Sequence, residues 1–469
     1  MPANSQHPTY VDALRKWSLV RAVIDNDAQE YIYTVDEGDP LRSKKYRQDA
    51  VLYNFTALTK NGLLGLIYLH PPKVTLPPQL EYLTHNATGG GLSLDQLSQQ
   101  ICGDLLETGR YGLLIDYMGV NNNGTARIIP YSAESIINWH TGVVNGLDQF
   151  SMVVLQETFL WQQDDNDEFN LEYRNQYRVL KMVQGVYVQE LYDRNLELIN
   201  RTIPTKANGD VWNEIPFVIL GSEHNTPVVD NATLYDLAVL NISQYKNSAD
   251  YEESIFVTGQ PTVVVNVGDI PADQWKELNG GRFKFGSRGG HVVGAGGDAK
   301  LLQASPNQLA AKAMQDKLLV AVGIGARLIS PPGGRETAEA ARIRYSSQNS
   351  ALMTLTQNVN NGIEDALSLC CEFVLDATPS DIKYELNDQF YEDGVDATLL
   401  AQAMLMFDRG ILTSEEIRDY VETSGAGLIE ESDIPEPTDL DLPLSVNPGL
   451  VLEPSIANTT ETESDLMAD

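Results

Sequence analysis

The architecture follows from residues 330–374, which read SPPGGRETAEAARIRYSSQNSALMTLTQNVNNGIEDALSLCCEFV. Two prolines and two glycines open the stretch and predict a loop over 329–335. Mostly apolar residues then recur at steps of three and four, which predicts one helix over 336–378. They are Ala341, Tyr345, Gln348, Leu352, Leu355, Val359, Ile363, Ala366, Cys370 and Phe373. About 40 residues at ~1.5 Å each give a rod of ~60 Å. So long a helix is expected to cross a whole domain, to pack against copies of itself, or both.

Two shorter helices are predicted before this loop, with an insert between them. Helical periodicity covers Ala232–Phe256, and Ser305-Pro306 opens a second helix that runs to Leu328. The insert, Thr262–Leu302, is rich in glycine and β-forming residues. The two helices have similar lengths, and the insert is expected to bring the chain back to the end of the first helix. The two helices are therefore expected to pack antiparallel.

The front of the chain mixes helices with strands, so the predicted class is α+β. Helices are expected over Tyr46–Leu66 and from the cap Ser93 to Thr108, closed by Gly109. Leu113–Tyr117 is predicted as a buried strand. Short β runs separated by acidic turns predict an antiparallel meander. These runs are Met152–Phe159, Tyr177–Met182, Val186–Tyr192 and Phe217–Leu220.

The charge of the chain reverses locally. The whole protein carries −33, yet residues 275–345 hold eleven basic and five acidic side chains, a balance of +6. Such a zone is expected either to face a polyanion while the acidic body avoids it, or to be a solvated face that balances nearby carboxylates. Beyond Arg418 there is no lysine or arginine, so 426–469 is expected to be an acidic, disordered tail. Two short helices, Asp396–Asp408 and Ser414–Val421, are predicted before it.

No motif of catalysis, cofactor binding or metal binding is visible in the sequence. Gly294–Ala299 looks like a dinucleotide loop, but the next helix starts too late, so a β-turn is expected. Asp164–Glu168 is expected to be a solvated turn rather than a cation site. The three cysteines form no C-x-x-C, which favours reduced thiols. With no signal peptide or membrane span in view, a soluble, intracellularly made protein is expected.

The order of elements resembles the phage portal protein, and several strings resemble a portal-like family once known only as a phage domain of unknown function. The resemblance covers about Tyr46 to Val421. Its strings are Tyr46-Arg47, Gly65–Tyr68, His70–Pro72, Thr108–Tyr117, Tyr177–Leu180, Leu237–Asn241, Tyr245–Ser248 and Glu336–Arg342.

The resemblance implies a portal fold. It has an α/β wing, a two-helix stem, a β-rich clip, a tunnel loop with a long helix, and a small helical crown. The corresponding segments are wing 1–231, stem helix 232–257, clip 258–304, stem helix 305–328, tunnel loop 329–335, long wing and tunnel helix 336–378, crown region 379–425 and acidic tail 426–469.

The resemblance also implies a function, which is expected to be structural rather than enzymatic, without cofactor or membrane. Portal proteins form a dodecameric ring at one capsid vertex of the virion, after assembly in the host bacterial cytoplasm. The ring is the channel for packaging and ejecting double-stranded DNA, which it contacts without sequence preference. Expected partners are the terminase large subunit, the major capsid and scaffolding proteins, and a tail or adaptor protein.

The basic zone supplies candidate site residues under this resemblance. Candidates for facing DNA in the channel are Lys312, Lys317, Arg327 and Arg335. The tunnel loop would consist of Ser330, Pro331, Pro332, Gly333, Gly334 and Arg335. Candidate clip contacts to terminase or adaptor are Arg282, Lys284, Arg288 and His291. Because Asp298, Asp316, Glu336 and Glu339 share the zone, the channel wall need not be uniformly positive.

Two other classes remain open at this point. One is an intracellular scaffold or adaptor whose basic zone binds an acidic protein partner. The other is an NAD-dependent enzyme built around Gly294–Ala299. Molecular mass in solution separates them, since a ring of about twelve copies belongs to the portal alone.

Arg335 gives the sharpest prediction from the sequence, because two roles compete for it. If it faces DNA from the tunnel loop, Arg335→Ala keeps the ring and changes the length of packaged DNA. If it pairs with Glu339 one helical turn on, the same change lowers the melting temperature slightly, since exposed pairs contribute well under ~1 kcal/mol. Capsid DNA content measured beside the melting curve distinguishes the two roles.

Overall fold

Helices and antiparallel strands occur largely in separate runs along the chain, as the predicted α+β class requires. The computed structural model describes residues 2–34, 38–117, 125–144, 147–164, 167–259, 262–281, 292–302, 308–324, 338–375, 381–388 and 390. Its helices are α1 Pro8–Ile24, α2 Pro40–Asp49, α3 Phe55–Ile67, α4 Tyr82–His85, α5 Leu94–Thr108, α6 Tyr235–Gly259, α7 Ala272–Asn279, α8 Leu309–Ile324 and α9 Ala338–Val374. Its strands are β1 Lys73–Thr75, β2 Arg110–Tyr117, β3 Ala126–Ser132, β4 Ile136–Val144, β5 Leu147–Asp164, β6 Asp167–Val183, β7 Val186–Tyr192, β8 Leu198–Thr202, β9 Phe217–Gly221, β10 Thr262–Asn266, β11 Asp298–Leu302 and β12 Lys383–Glu385.

Two antiparallel sheets are formed by strands between residues 110 and 221. The larger has the order β4-β5-β6-β7-β8, in which each strand pairs with the next one in the sequence, and this confirms the predicted meander. The smaller has the order β3-β2-β9, with β2 in the centre and almost entirely buried. The run Phe217–Leu220 was assigned to the meander from its sequence, and that assignment was wrong. It pairs with β2 instead, at Tyr111↔Leu220 and Leu113↔Val218.

Helix α5 begins and ends at the residues predicted from its caps. Ser93 Oγ accepts a hydrogen bond from Gln96 N, and Gln96 Oε1 accepts one from Ser93 N, which completes a capping box. Gly109 closes the helix at φ 73°, a conformation that side chains with a Cβ rarely adopt. A Cβ at Gly109 would also lie 2.6 Å from Asn231 O. The sharp turn from α5 into β2 therefore requires glycine.

Helix α9 forms the centre of the core. Its buried side chains include seven of the predicted stripe, and they are Leu352, Leu355, Val359, Ile363, Ala366, Cys370 and Phe373. The helix packs on α5 and on β2, β3 and β9. Burial confirms the predicted stripe from Leu352 onward, while the side chains of Ala341, Tyr345 and Gln348 lie outside the described residues. At 37 residues, α9 is ~55 Å long.

The single helix predicted over Tyr46–Leu66 was wrong, because the structure has two helices there. α2 ends at Asp49, and Asn54 then caps α3 by accepting a hydrogen bond from Ala57 N. The Asn54 amide also donates to Val23 O at the end of α1. This contact across the fold fixes the break, and periodicity along one segment could not predict it. Asp396–Asp408, Ser414–Val421 and the tail 426–469 lie outside the described residues.

The insert between α6 and α8 contains a helix as well as strands, so the prediction of a β-rich insert holds only in part. β10 and β11 form an antiparallel ribbon from Thr262↔Leu302 to Asn266↔Asp298. α7 lies between them in sequence. Gly297 N donates to Gly294 O at 2.9 Å, and β11 starts at the very next residue. The predicted β-turn is confirmed, and no helix opens on these glycines to hold a dinucleotide.

Gly362 tests the packing of α9 on β9. A Cβ at this position would lie 2.6 Å from Cδ2 and 2.7 Å from Cγ of the fully buried Leu220. Gly→Ala in a helix normally stabilises by ~1 kcal/mol. Here we expect Gly362→Ala to destabilise by about 1–3 kcal/mol, because the core must accommodate an overpacked methyl group.

Gly65 is the matched control for this experiment. It lies in α3 with nothing within 4 Å of an added Cβ, so Gly65→Ala should raise the melting temperature. Thermal unfolding of both variants checks the pair. A stabilised Gly362→Ala protein would contradict the packing of α9 on Leu220.

Candidate assembly and channel surface

Helices α6 and α8 pack side by side in antiparallel directions. Gln244 Nε2 lies 3.7 Å from Met314 Sδ, and Lys317 Nζ donates to Ser243 O at 2.9 Å. Further along α6, Val257 and Thr258 share a groove with Leu309 at the start of α8. Later residues of α6 thus lie beside earlier residues of α8. The structure therefore has the antiparallel helix pair that the sequence predicted, with its strand ribbon inserted between the helices.

The face of α8 turned away from α6 is mixed, because Leu319 lies there together with Lys312 and Asp316. Ala310 and Ala321 are buried toward α6, whereas Leu318, Leu319, Val320 and Ile324 are exposed. At 100° per residue Leu319 lies opposite the buried alanines, and its exposed fraction is 70%. Near the end of α6, Ile255, Phe256 and Val257 are exposed as well. Large apolar side chains are thus exposed at both ends of this helix pair, and exposed apolar patches are typical of surfaces that another protein covers.

Two of the candidate channel residues, Lys312 and Lys317, have different surroundings in the structure. Lys317 lies on the α6 side, where its ammonium donates to Ser243 O and to Asn247 Oδ1. Burial there lowers the pKa of Lys317, and Asp250 partly opposes this effect. Lys312 is exposed, and five residues of helix place it about 140° around the axis from Lys317. The ammonium of Lys317 is thus held by α6, and only Lys312 of these two projects into solvent.

The other candidate residues lie outside the described residues, and their roles stay predictions. They are Arg282, Lys284, Arg288, His291, Arg327 and the tunnel-loop residues Ser330, Pro331, Pro332, Gly333, Gly334 and Arg335. Two further lysines of the basic zone are described. Lys300 Nζ lies 3.7 Å from Asp298 Oδ2, and Lys276 Nζ lies 4.0 Å from Asp273 Oδ1. Both pairs are exposed, so their contribution to stability is small.

Ion pairs inside the wing segment were not predicted from the sequence. Arg21 of α1 donates to Glu134 Oε1 at 2.9 Å and also pairs with Asp104 and Glu107 of α5. Lys60 of α3 pairs with Glu107 too. Burial alone would lower the pKa of Arg21, but the hydrogen bond to Glu134 and the nearby carboxylates raise it above its ordinary value. The network ties three helices together, so its function is structural.

Arg110 is a second buried cation, and no motif or spacing in the sequence predicted its burial. Its guanidinium lies 4.0 Å from the ring centroid of Trp139, and Nη1 donates to Pro227 O at 3.0 Å. Burial lowers its pKa to about 10, with the charge of Asp230 acting in the opposite direction. The imidazole of His7 stacks on Trp139 at 4.1 Å. This stack fixes the N-terminal segment on β4.

The described residues include an open groove beside the helix pair. An open groove of about 600 Å³ lies between α2, α6 and α8. In the part of the chain that the structure describes, no group of three or more His, Cys, Asp or Glu side chains is arranged to hold a metal ion. Among the described helices, none is both long enough and apolar enough to cross a membrane.

Comparison with known families bears on the segment just described. Residues 233–374 match the sequence model of a family described as Domain of unknown function (DUF4055). The match runs from α6 to the end of α9 and includes the insert. Over these residues it confirms the predicted resemblance to a family once known only by such a label. Among proteins with curated descriptions, none matches the sequence.

Several solved structures are similar in fold at low sequence identity. A chain of the virion of a native gene transfer agent (GTA) particle is 16% identical with a TM-score of 0.42, covering 82% of this chain and 94% of that chain. A chain from the neck of a native GTA particle computed with C12 symmetry is 15% identical with a TM-score of 0.42, covering 81% and 93%. An HK97 family phage portal protein from Corynebacterium diphtheriae is 12% identical with a TM-score of 0.32, covering 72% and 96%.

Lys317 and Lys312 form a matched pair for mutation. Lys317→Met removes the ammonium that joins α8 to α6, and we expect a loss of about 1 kcal/mol of stability. Lys312→Met, on the exposed side, should leave the melting temperature unchanged. Equal melting temperatures for the two variants would contradict the assigned contact of Lys317.

Proposed function

We propose that this chain is a phage portal protein, the head–tail connector at one capsid vertex of the virion. Twelve copies would form a ring that is the channel for packaging and ejecting double-stranded DNA. The observation that carries the proposal is the group of large apolar side chains that α8 leaves exposed. On a helix pair with a protruding insert, such side chains are suited to the side-by-side contact of identical subunits.

The helix pair and its insert support the roles of stem and clip. α6 and α8 run antiparallel, and β10 and β11 pair with each other immediately beyond them. The insert therefore leaves and re-enters the helix pair at one end. In a ring, such inserts would stand together at one rim, where terminase during packaging and a tail or adaptor protein afterwards could dock.

The exposed apolar side chains of α8 support a ring rather than a monomer. Full burial of a leucine, isoleucine or valine side chain is worth about 1.5–3 kcal/mol. Leu318, Leu319, Val320 and Ile324 forgo this energy in a single chain. Contact with a neighbouring copy on each side would recover it, and repeating one contact around an axis closes a ring. The number twelve comes from the resemblance to portal proteins.

The charge distribution suits a channel through which DNA slides. The chain as a whole carries −33 and repels phosphates, so DNA would not adhere to the outside of the ring. Lys312 and Asp316 lie one turn apart on α8, so opposite charges alternate along that helix. A wall of mixed sign would contact phosphates weakly and without sequence preference. We therefore assign DNA contact to Lys312, Arg327 and Arg335, and docking contacts to Arg282, Lys284, Arg288 and His291.

A second candidate function is an intracellular scaffold or adaptor whose basic zone binds an acidic protein. Lys276 and Lys300 favour it, because both are exposed on the insert. Such a protein needs no ring. The two proposals therefore differ in the mass of the free protein.

Mass and shape in solution test the portal proposal directly. A ring of twelve chains of 51.8 kDa has a mass of about 620 kDa, which multi-angle light scattering resolves from a monomer or dimer. Negative-stain electron microscopy of the same sample should show rings with a central opening. A sample that stays monomeric or dimeric at high concentration would favour the scaffold.

A substitution at Leu319 tests whether α8 lies in the contact between subunits. Leu319→Glu places a charge in the proposed contact, so we expect rings to be replaced by monomers with an unchanged melting temperature. Val228→Glu, at an equally exposed loop position, is the control and should leave the rings intact. Rings that persist in the Leu319→Glu protein would show that this position of α8 does not lie in the contact between subunits.

A further inference from the structure

Residues 2–7, which we call the strap, lie against strand β4. His7 N donates to Ile137 O at 2.8 Å, and Asn138 Nδ2 donates to Ser5 O at 2.9 Å. Two adjacent residues of β4 therefore hold the strap, and α1 begins directly after it. Among the contacts of the strap, those of the His7 side chain are the ones that a proton can change.

The imidazole of His7 makes two contacts that hold the strap in place. Its Nδ1 accepts a hydrogen bond from Thr9 N at 3.3 Å and lies 2.7 Å from Thr9 Oγ1, so it caps the N-terminus of α1. The ring also stacks on Trp139, with centroids 4.1 Å apart and 18° between the planes. Since Nδ1 accepts a hydrogen bond only when it carries no proton, the cap requires the neutral imidazole.

The groups around this imidazole are cationic. The guanidinium of Arg110 lies 4.0 Å from the ring centroid of Trp139. Two groups so close to one ring centroid cannot share a face, so His7 and Arg110 lie on opposite faces of Trp139. His140 of β4 is a further group that can carry positive charge. Burial, and then the charges of His140 and Arg110, lower the pKa of His7 from its ordinary value.

The carboxylates near this cluster are engaged elsewhere. The charge of Asp230 acts on Arg110, and Asp230 Oδ2 already accepts hydrogen bonds from two backbone amides. Glu134, just before β4 in the chain, pairs with Arg21. The phenol of Tyr10 donates to Glu134 O, and burial raises its pKa, so it stays neutral. Within the described residues, neither carboxylate forms an ion pair with the imidazole of the strap.

A proton on Nδ1 would weaken the docked strap. It removes the acceptor for Thr9 N and puts a positive charge at the N-terminus of a helix, where the helix dipole opposes it. An imidazolium can bind an aromatic face, but the ring of Trp139 already holds Arg110 on its other face. An unrestrained histidine takes up its proton near pH 6.5, and the docked His7 does so only at lower pH. Docking is therefore complete above about pH 6.5 and weakens as the pH falls below that value.

We propose that the strap is an acid-sensitive element, held on β4 while His7 is neutral and released when His7 takes up a proton. Release would uncover Trp139, which is 5% exposed in the docked state. The rest of α1 would stay in place, because Trp17 and Val20 are anchored in the core independently of the strap. The inference does not depend on the proposed function, since every contact lies within one chain.

Hydrogen exchange of the full-length protein at about pH 7.5 and about pH 5.5 tests the proposal. The reporter is a peptide that includes residues 2–10, with exchange rates divided by the intrinsic rates at each pH. Its protection comes in part from the amides of His7 and Thr9, which bond to Ile137 O and to the imidazole. We expect this protection to fall about threefold or more at the lower pH, while peptides from α9 keep theirs.

Three variants separate the proton from the other contacts. Asparagine is among the best capping residues and takes no proton, so His7→Asn should give the same protection at both pH values. That protection should be below the wild-type value at the higher pH, because the stack on Trp139 is lost. His140→Gln should reduce the fall, since it removes one charge that opposes the proton. His85→Gln, at an exposed position of α4, is the control and should behave as the wild type does.

Three results would overturn the proposal. The first is equal protection of the wild-type strap at both pH values. The second is a His7→Asn protein whose strap still opens in acid, because the proton then acts at another group. The third is an equal loss of protection in α9, because acid then unfolds the whole protein. None of these results bears on ring formation, which is measured by mass.

Discussion

The burial of one face of α9 is the interaction on which the rest of the described structure depends. Its apolar stripe from Leu352 to Phe373 packs on the three-stranded sheet and on α5. Polar contacts add to this packing. Asn358 Nδ2 donates to Gly221 O at 2.9 Å, and Glu364 Oε1 accepts from Tyr384 N at 3.0 Å. Because α9 contacts α5 and β2 from the front of the chain, its side chains hold together elements more than 200 residues apart.

Features that are local in sequence could be predicted, and features that depend on distant partners could not. The caps at Ser93 and Gly109 act within one turn, so the ends of α5 were right to the residue. The break at Asn54 depends on the carbonyl of Val23, and the partner of β9 is a strand about a hundred residues earlier. α1 was missed although its buried residues Tyr10, Trp17, Val20 and Val23 have helical spacing, because the segment was taken only as a polar N-terminus.

The candidate site shows the same division. The helix pair could be predicted from periodicity and from the position of the insert. It could not be predicted which lysine of α8 faces α6. Lys312 and Lys317 differ only in their angular position around the helix relative to the buried Ala310 and Ala321. The network of Arg21, Asp104, Glu107 and Glu134 joins residues of three separate segments, and no spacing in the sequence marks it. The hairpin of β5 and β6 was visible only as two β runs, because its reach beyond the sheet depends on where β4 and β7 stop pairing.

The continuity of α9 has a mechanical consequence. Fourteen residues separate Ala338, the first described residue of α9, from Leu352 in the buried stripe, which corresponds to about 20 Å of helix. An intact helix behaves as a stiff lever over such a distance. A tilt of ten degrees at the sheet would therefore move Ala338 by about 3.5 Å. Adjustments within the core would in this way be amplified at the N-terminal end of α9, and a load on that end would be transmitted to the core.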